Sequence, residues 1–200
     1  MRKVMLLTFI LVTLFGITIN CSDSTDIKMR NPENPVVTIK SDFGQMVFEL
    51  YHDVAPAHVD SFLARTDEGF YDSLLFFRVI KDFVVQTGDP LNNGTGGAGY
   101  SLKAEFNDLP HNAGTLSMAR GMSENSAGTQ FFICLARNFK TESLDGKYTV
   151  FGQLLDGMEV LQKIGSVPVQ AQSHGEMSRP VEPVYMLKVY RSDTDGNPLK

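Results

Sequence analysis

Short strand-like runs separated by turn residues leave this chain few architectures. Val36-Val37-Thr38-Ile39 and Gln45-Met46-Val47-Phe48-Glu49-Leu50 flank Asp42-Phe43-Gly44 and read as a hairpin. Thr115–Ala119, Gln130–Leu135, Thr149–Leu154 and Val184–Tyr190 are further strand candidates. Two segments carry a helical stripe. Val59, Phe62 and Leu63 follow Pro56, which suits a first helical position, and Gly69 stops that helix. Met158, Leu161 and Ile164 mark a second helix closed by Gly165. Residues 101–114, 120–128, 136–142 and 166–183 read as polar loops. Strands do not alternate with helices as in a parallel βαβ chain. The expectation is a mainly β fold, an antiparallel sheet closed on itself with helices over its openings.

Phe76–Pro90 is a mostly apolar stretch rich in β-branched and aromatic residues, and of its polar side chains Arg78 and Gln86 sit within the strand-like runs. Arginine is almost never buried unless paired, and its guanidinium is a rigid fork of donors. Arg78 therefore either reaches out to water or is aimed at a ligand from a firm scaffold.

The rest of the chemistry narrows by exclusion. The net charge is −5 and the lysines and arginines are scattered, so no basic patch marks a nucleic-acid partner. Cys21 and Cys134 form neither a disulfide framework nor a CxxC metal site, and Cys134 reads as a small buried hydrophobe. No clustered ligands suggest a metal, and no cofactor is expected. Gly94, Gly96 and Gly99 satisfy G-x-G-x-x-G, but Asp89–Asn93 intervenes before the loop and no helical stripe follows, so a close-packed surface loop is expected. His52, His58, His111 and His174 lie in no recognisable motif with Ser or Cys, and His58 is expected on an exposed helical turn. What remains is one arginine and two amides, Arg78, Gln86 and Gln130, on strands beside Phe83, Phe132 and Met118. Such a site has no proton shuttle, yet it can hold an apolar residue and hydrogen-bond the flanking peptide.

The first twenty residues read as a secretory signal: Arg2-Lys3, then the apolar run Val4–Ile19, shorter than the roughly 20 residues of a membrane span. Cys21 directly after it resembles the lipidation site of bacterial lipoproteins, although Asn20 stands where that family has a small residue; an ordinary cleaved secretory leader is the alternative. Acylation of Cys21 would hold the chain at a membrane surface. Removing residues 1–20 takes away Arg2 and Lys3 and moves the net charge from −5 to −7. Residues 21–35 read as a flexible tether, 36–191 as the domain and 192–200 as a loose tail.

Five ordered motifs then carry a resemblance. They are Phe77-Arg78-Val79-Ile80-x-x-Phe83-x-x-Gln86-x-Gly88-Asp89, Gly94-Thr95-Gly96-Gly97, Leu116-Ser117-Met118-Ala119, Gln130-Phe131-Phe132-Ile133 and Leu144-Asp145-Gly146-Lys147-Tyr148-x-Val150-Phe151-Gly152. From about Val36 to Tyr190 the chain resembles a cyclophilin. The resemblance implies a closed eight-stranded antiparallel β-barrel capped by two helices, with peptidyl-prolyl cis-trans isomerase activity toward proline-containing polypeptides; with the leader read above, the expected clients are envelope or secreted proteins. A cyclophilin-fold module that binds proline peptides with little turnover is the alternative. The resemblance puts Arg78 at the catalytic arginine. It puts Phe83, Val84, Phe132 and Leu144 in the proline pocket, and Gln86, Met118, Ala119, Arg120, Gln130 and Tyr148 along the bound peptide. Three positions depart from the family: Ser143 replaces a pocket aromatic on which cyclosporin binding leans, Arg120 replaces Asn, and Tyr148 stands where His is common. The expected state is an exported, membrane-anchored or periplasmic monomer.

Overall fold

In the computed structural model the described residues are 29–199. The segment read as a secretory signal, residues 1–20, and Cys21 lie outside them. The chain runs β1 (Val36–Ser41), β2 (Gly44–Leu50), α1 (Pro56–Asp67), β3 (Leu74–Leu75), β4 (Arg78–Ile80), β5 (Val84–Thr87), β6 (Thr115–Met118), β7 (Phe131–Cys134), α2 (Phe139–Glu142), β8 (Val150–Asp156), α3 (Met158–Gly165), β9 (Val169–Ala171), β10 (Met177–Pro180) and β11 (Tyr185–Arg191).

One antiparallel sheet holds nine of these strands in the order β3-β11-β1-β2-β8-β6-β7-β5-β4. This corrects the closed eight-stranded barrel: the sheet curls into a half-barrel whose ladder stays open. Its edge strands β3 and β4 are neighbours in sequence, joined only by Phe76-Phe77. At the β3 edge, side chains replace a strand. The Leu75 N–H donates to Asn92 Oδ1 (2.9 Å) and its carbonyl accepts from Thr87 Oγ1 (2.9 Å). The backbone groups of the edge are thereby satisfied without further pairing.

The core fills the inside of the curl. Phe62 of α1 stacks on Tyr71 (4.8 Å between centroids) and meets Phe131 and Phe151 at 5.3 and 5.5 Å. Both predicted helices form, with α1 buried through Val59, Phe62 and Leu63. In α3 the buried positions are Val160, Leu161 and Ile164, while Met158 is partly exposed and Gly165 lies within the helix against Leu135. The N-terminal turn of α1 has no cap of its own. Glu105 supplies one from the 101–114 loop, accepting from the N–H groups of Ala57 (3.2 Å) and His58 (3.1 Å) and meeting His58 Nδ1 at 2.7 Å. A carboxylate there satisfies orphan donors and the helix dipole together. His58 is consequently fully buried, not on an exposed turn.

Three further segments differ from the sequence reading. Residues 139–142 form the short helix α2, capped by Asn138, whose side chain accepts from Lys140 N (2.9 Å). The supposed loop before Pro183 contains the β9–β10 hairpin, which packs beside β4. The end of the tether is docked: the backbone N–H groups of Arg30 and Asn31 and the amide of Asn34 all donate to the buried carboxylate of Glu49, at 2.7, 2.9 and 2.8 Å. A buried carboxylate needs such donors.

Candidate active site

Strand period and register build the site. Side chains alternate between sheet faces, so β7 sends Phe131 and Ile133 into the core and Phe132 and Cys134 to the other face. Arg78 pairs with Gln86 across β4 and β5, Gln86 with Phe132 across β5 and β7, and Phe132 with Ser117 across β7 and β6. Arg78, Gln86, Phe132 and Ser117 therefore form one row across four strands. Each strand is short and hydrogen-bonded to its neighbour, so the row is rigid.

Hydrogen bonds run along this row. Arg78 Nη1 donates to Gln86 Oε1 (3.1 Å), Gln86 Nε2 to Gln130 Oε1 (3.0 Å), and Gln130 Nε2 to the carbonyls of Gly94 (3.1 Å) and Gly96 (2.8 Å). The glycine-rich loop thus buttresses the second amide. Beside the row lies a cavity of about 200 Å³ lined by Arg78, Phe83, Val84, Gln86, Ala119, Arg120, Phe132, Leu144 and Tyr148. Its floor is Phe132, with Tyr148 edge-on at 5.8 Å and His111 stacked behind at 5.9 Å. Arg120 is held at the rim with its guanidinium 4.8 Å above the Tyr148 ring and Nε donating to Lys147 O (3.0 Å). The space suits a small apolar ring, with two guanidinium groups, of Arg78 and Arg120, and one amide at its border.

A profile of the cyclophilin type peptidyl-prolyl cis-trans isomerases matches residues 36–191. The chain belongs to the cyclophilin family. A peptidyl-prolyl cis-trans isomerase of Arabidopsis thaliana is 40% identical over 159 residues, 77% of this chain and 92% of its own length. Isomerase-like 1 of Mus musculus is 37% identical over 164 residues, covering 79% and 93% of the two chains. A Cryptosporidium parvum cyclophilin crystallised in the presence of the dipeptide Ala-Pro superposes with a TM-score of 0.72 at 30% identity, over 79% of this chain and 99% of that one. The chain is a peptidyl-prolyl cis-trans isomerase.

Most of the predicted site residues of this cyclophilin converge on the cavity. Met118 does not: β6 turns it into the main core, and Ser117 takes the face toward Phe132. Gln130 meets the cavity only through Gln86. Ser143, at the position of the family's pocket aromatic, is the C-cap of α2, where its hydroxyl donates to Lys140 O (2.6 Å); the cavity wall nearby is made by Leu144 and Tyr148. Cys134 is fully buried and its thiol is pushed up to about 12 by that burial, so it is a packing residue.

Two residues of the site escaped the sequence reading. Glu176, just before β10, grips Arg78 from the side opposite Gln86. Its oxygens accept from Arg78 Nε (2.7 Å) and Nη2 (2.8 Å). Arg78 hydrogen bonds hold the Glu176 carboxyl down at about 2, against the upward pull of burial. His111 is the second. Its Nδ1 meets Asp145 Oδ1 at 2.9 Å and its Nε2 meets Ser117 Oγ at 2.9 Å. An Asp-His-Ser chain with these distances resembles a hydrolase triad. Here both His111 and Ser117 are fully buried behind Phe132, so no substrate carbonyl can reach the hydroxyl. The chain braces the pocket floor.

This brace titrates. Burial pulls the His111 pKa below its ordinary 6.5, over the opposing effect of Asp145. The unfolded chain therefore binds the His111 proton first as pH falls, and stability is lost downward from about pH 6.5. One proton limits the slope to about 1.4 kcal/mol per pH unit. Carboxylates such as Asp145 and Glu176, held below their ordinary values, add a loss that starts only near pH 4. Urea midpoints between pH 7.5 and 5 should fall for the wild type and fall less for His111→Gln. Equal slopes for the two would remove His111 from the account.

Proposed function

We propose that Arg78 is the catalytic group of this isomerase and acts without any covalent step. Resonance gives the peptide C–N bond a rotation barrier of roughly 18–20 kcal/mol, so X–Pro bonds isomerise in tens to hundreds of seconds unaided. In the twisted amide the proline nitrogen is pyramidal and carries a lone pair. A guanidinium N–H directed at that nitrogen stabilises the twisted state and not the planar one, which is catalysis by differential binding. A guanidinium has five N–H donors. Glu176 takes two of Arg78's and Gln86 one, which leaves one on each terminal nitrogen for the substrate.

Phe83, Val84, Phe132 and Leu144 hold the pyrrolidine ring in this reading, Tyr148 closes the pocket, and Ala119 and Arg120 border the peptide. Gln86 and Gln130 orient Arg78. The observation that carries the assignment is the Arg78–Gln86–Gln130 hydrogen-bond chain beside an apolar cavity of about 200 Å³. The Ala-Pro dipeptide named with the C. parvum relative supports a proline-containing peptide as occupant. A protease-coupled assay on a proline tetrapeptide, comparing wild type with Arg78→Ala, tests it.

We further infer that the enzyme is an exported bacterial lipoprotein, anchored through Cys21 and acting as a monomer on folding envelope proteins. Arg2-Lys3, the apolar run Val4–Ile19 and Cys21 directly behind it support this. The match to the family begins only at Val36 and does not bear on it. Intact mass of the protein extracted from membranes decides: the expected species begins at Cys21 and carries acyl chains, and an unacylated chain would overturn the anchor.

A further inference from the structure

We propose that Glu176 is a positioning residue for catalysis, holding the Arg78 guanidinium in its productive orientation from outside the substrate groove. The inference rests on Arg78 being the catalytic group. Arg78 leaves β4 on a long, flexible side chain that is only partly buried, and Gln86 holds a single N–H of it. One hydrogen bond leaves the guanidinium free to rotate about its own contact. The side-on grip of Glu176 fixes both Nε and Nη2, and with them the plane of the group. The two remaining N–H bonds then point in set directions.

Glu176 is itself built into place. Its Oε2 also accepts from Ser178 Oγ (2.7 Å), and Ser178, fully buried, accepts in turn from Gln172 Nε2 (2.8 Å). The backbone of Gln172 donates to the Glu176 carbonyl (2.8 Å), closing the turn of the β9–β10 hairpin. The hairpin packs along β4, the strand that carries Arg78. A surface carboxylate caught by chance would have no such support. Glu176 does not line the cavity around Phe132, so it holds the guanidinium without entering the space where proline sits.

Charge and position oppose each other here, and their balance makes the proposal testable. A carboxylate beside Arg78 reduces the positive potential offered to the amide nitrogen. If charge dominated, removing Glu176 would speed the reaction; if orientation dominates, it slows it. We expect orientation to win, because a misplacement of about 1 Å at a reacting centre can cost on the order of 100-fold.

The experiment is a double-mutant cycle on the full chain, with kcat and KM on a proline tetrapeptide for wild type, Glu176→Ala, Glu176→Gln, Arg78→Ala and the Arg78→Ala/Glu176→Ala pair. Glu176→Ala should lower kcat by about 10-fold or more with KM nearly unchanged, and Glu176→Gln, which keeps an acceptor of the same shape, should recover part of it. In the Arg78→Ala background Glu176→Ala should have no further effect, because its target is gone. The Arg78 Nε–H resonance, slowed in exchange by Glu176 in the wild type, should broaden or vanish in Glu176→Ala. Unchanged or raised kcat in Glu176→Ala overturns the proposal, as does an equal fractional loss in both backgrounds, which would mean a structural role. Full activity in Arg78→Ala would instead overturn the assignment of Arg78.

Discussion

Arg78→Ala should lower kcat/KM on a proline tetrapeptide by roughly 100- to 1000-fold, the loss of about 2.7–4 kcal/mol that follows removal of one preorganised donor at a charge-developing atom. The loss belongs in kcat. The planar amide nitrogen has its lone pair in resonance and offers Arg78 little, so ground-state binding rests on the apolar wall of Phe83, Phe132 and Leu144, which the substitution leaves in place. KM should therefore move by no more than a few-fold. Stability should change little as well: the Arg78–Glu176 pair is part-exposed, at 25% and 32% of the two side chains, and ion pairs with that much water access are worth at most about 1 kcal/mol. A variant that folds with near wild-type stability, binds the peptide and turns over roughly 100- to 1000-fold more slowly is the expected result. A rate within two-fold of wild type would move the chemistry to the pocket walls, leaving desolvation of the amide as the main source of acceleration.

How much of this was legible beforehand depends on how far apart the partners lie. Arg78 and Gln86 were visible because polar residues stand out inside an apolar run, and the antiparallel register Arg78↔Gln86 then puts them side by side. Phe132 was placed through the resemblance of Gln130-Phe131-Phe132-Ile133, since the uniformly apolar β7 shows no alternation. Glu176 was not: it lies 98 residues from Arg78, in a hairpin of three- and four-residue strands whose sequence carries no clear period. Met118 was misplaced although it was legible: in Thr115-Leu116-Ser117-Met118 the alternation puts Met118 on the core face with Leu116 and gives the other face to Ser117. His111 gave no signal, since its partners stand six residues away in β6 and 34 away beyond α2. The open ladder was hidden because β3 has only two residues and side chains satisfy its edge. Local pattern reveals which residues are unusual for their surroundings; the partner that makes them useful comes from the packing of distant elements.

The largest effect on stability should come from one backbone atom behind the site. Gly88 directly follows β5 at φ +83°, in the left-handed region, and a Cβ placed there would stand 2.3 Å from the Thr129 carbonyl oxygen and 3.1 Å from Gln130 Cα. The obstruction is backbone, so no rotamer relieves it. The close approach has a purpose: Thr129 Oγ1 donates to the Gly88 carbonyl at 2.8 Å, and the next residue, buried Asp89, accepts from the N–H groups of Leu91 (2.8 Å) and Asn93 (3.0 Å) to shape the loop that receives the Gln130 amide. Gly88→Ala must push β5 away from the start of β7. We expect a loss of at least about 3 kcal/mol, combining the left-handed penalty of roughly 1–2 kcal/mol with the displaced ladder. For a chain of this size that lowers Tm by roughly 6–12 °C. Gly146→Ala is the matching control. Its φ of +67° lies in the same region, but a Cβ there meets nothing within 4 Å, so only the backbone penalty of roughly 1–2 kcal/mol should appear. Activity below the melting transition should separate the two as well, since only Gly88→Ala shifts the Gln86–Gln130 pair and with it the seat of Arg78. Equal Tm losses for the two variants would mean that the contact with Thr129 relaxes freely, and that the rigidity assigned to this junction does not exist.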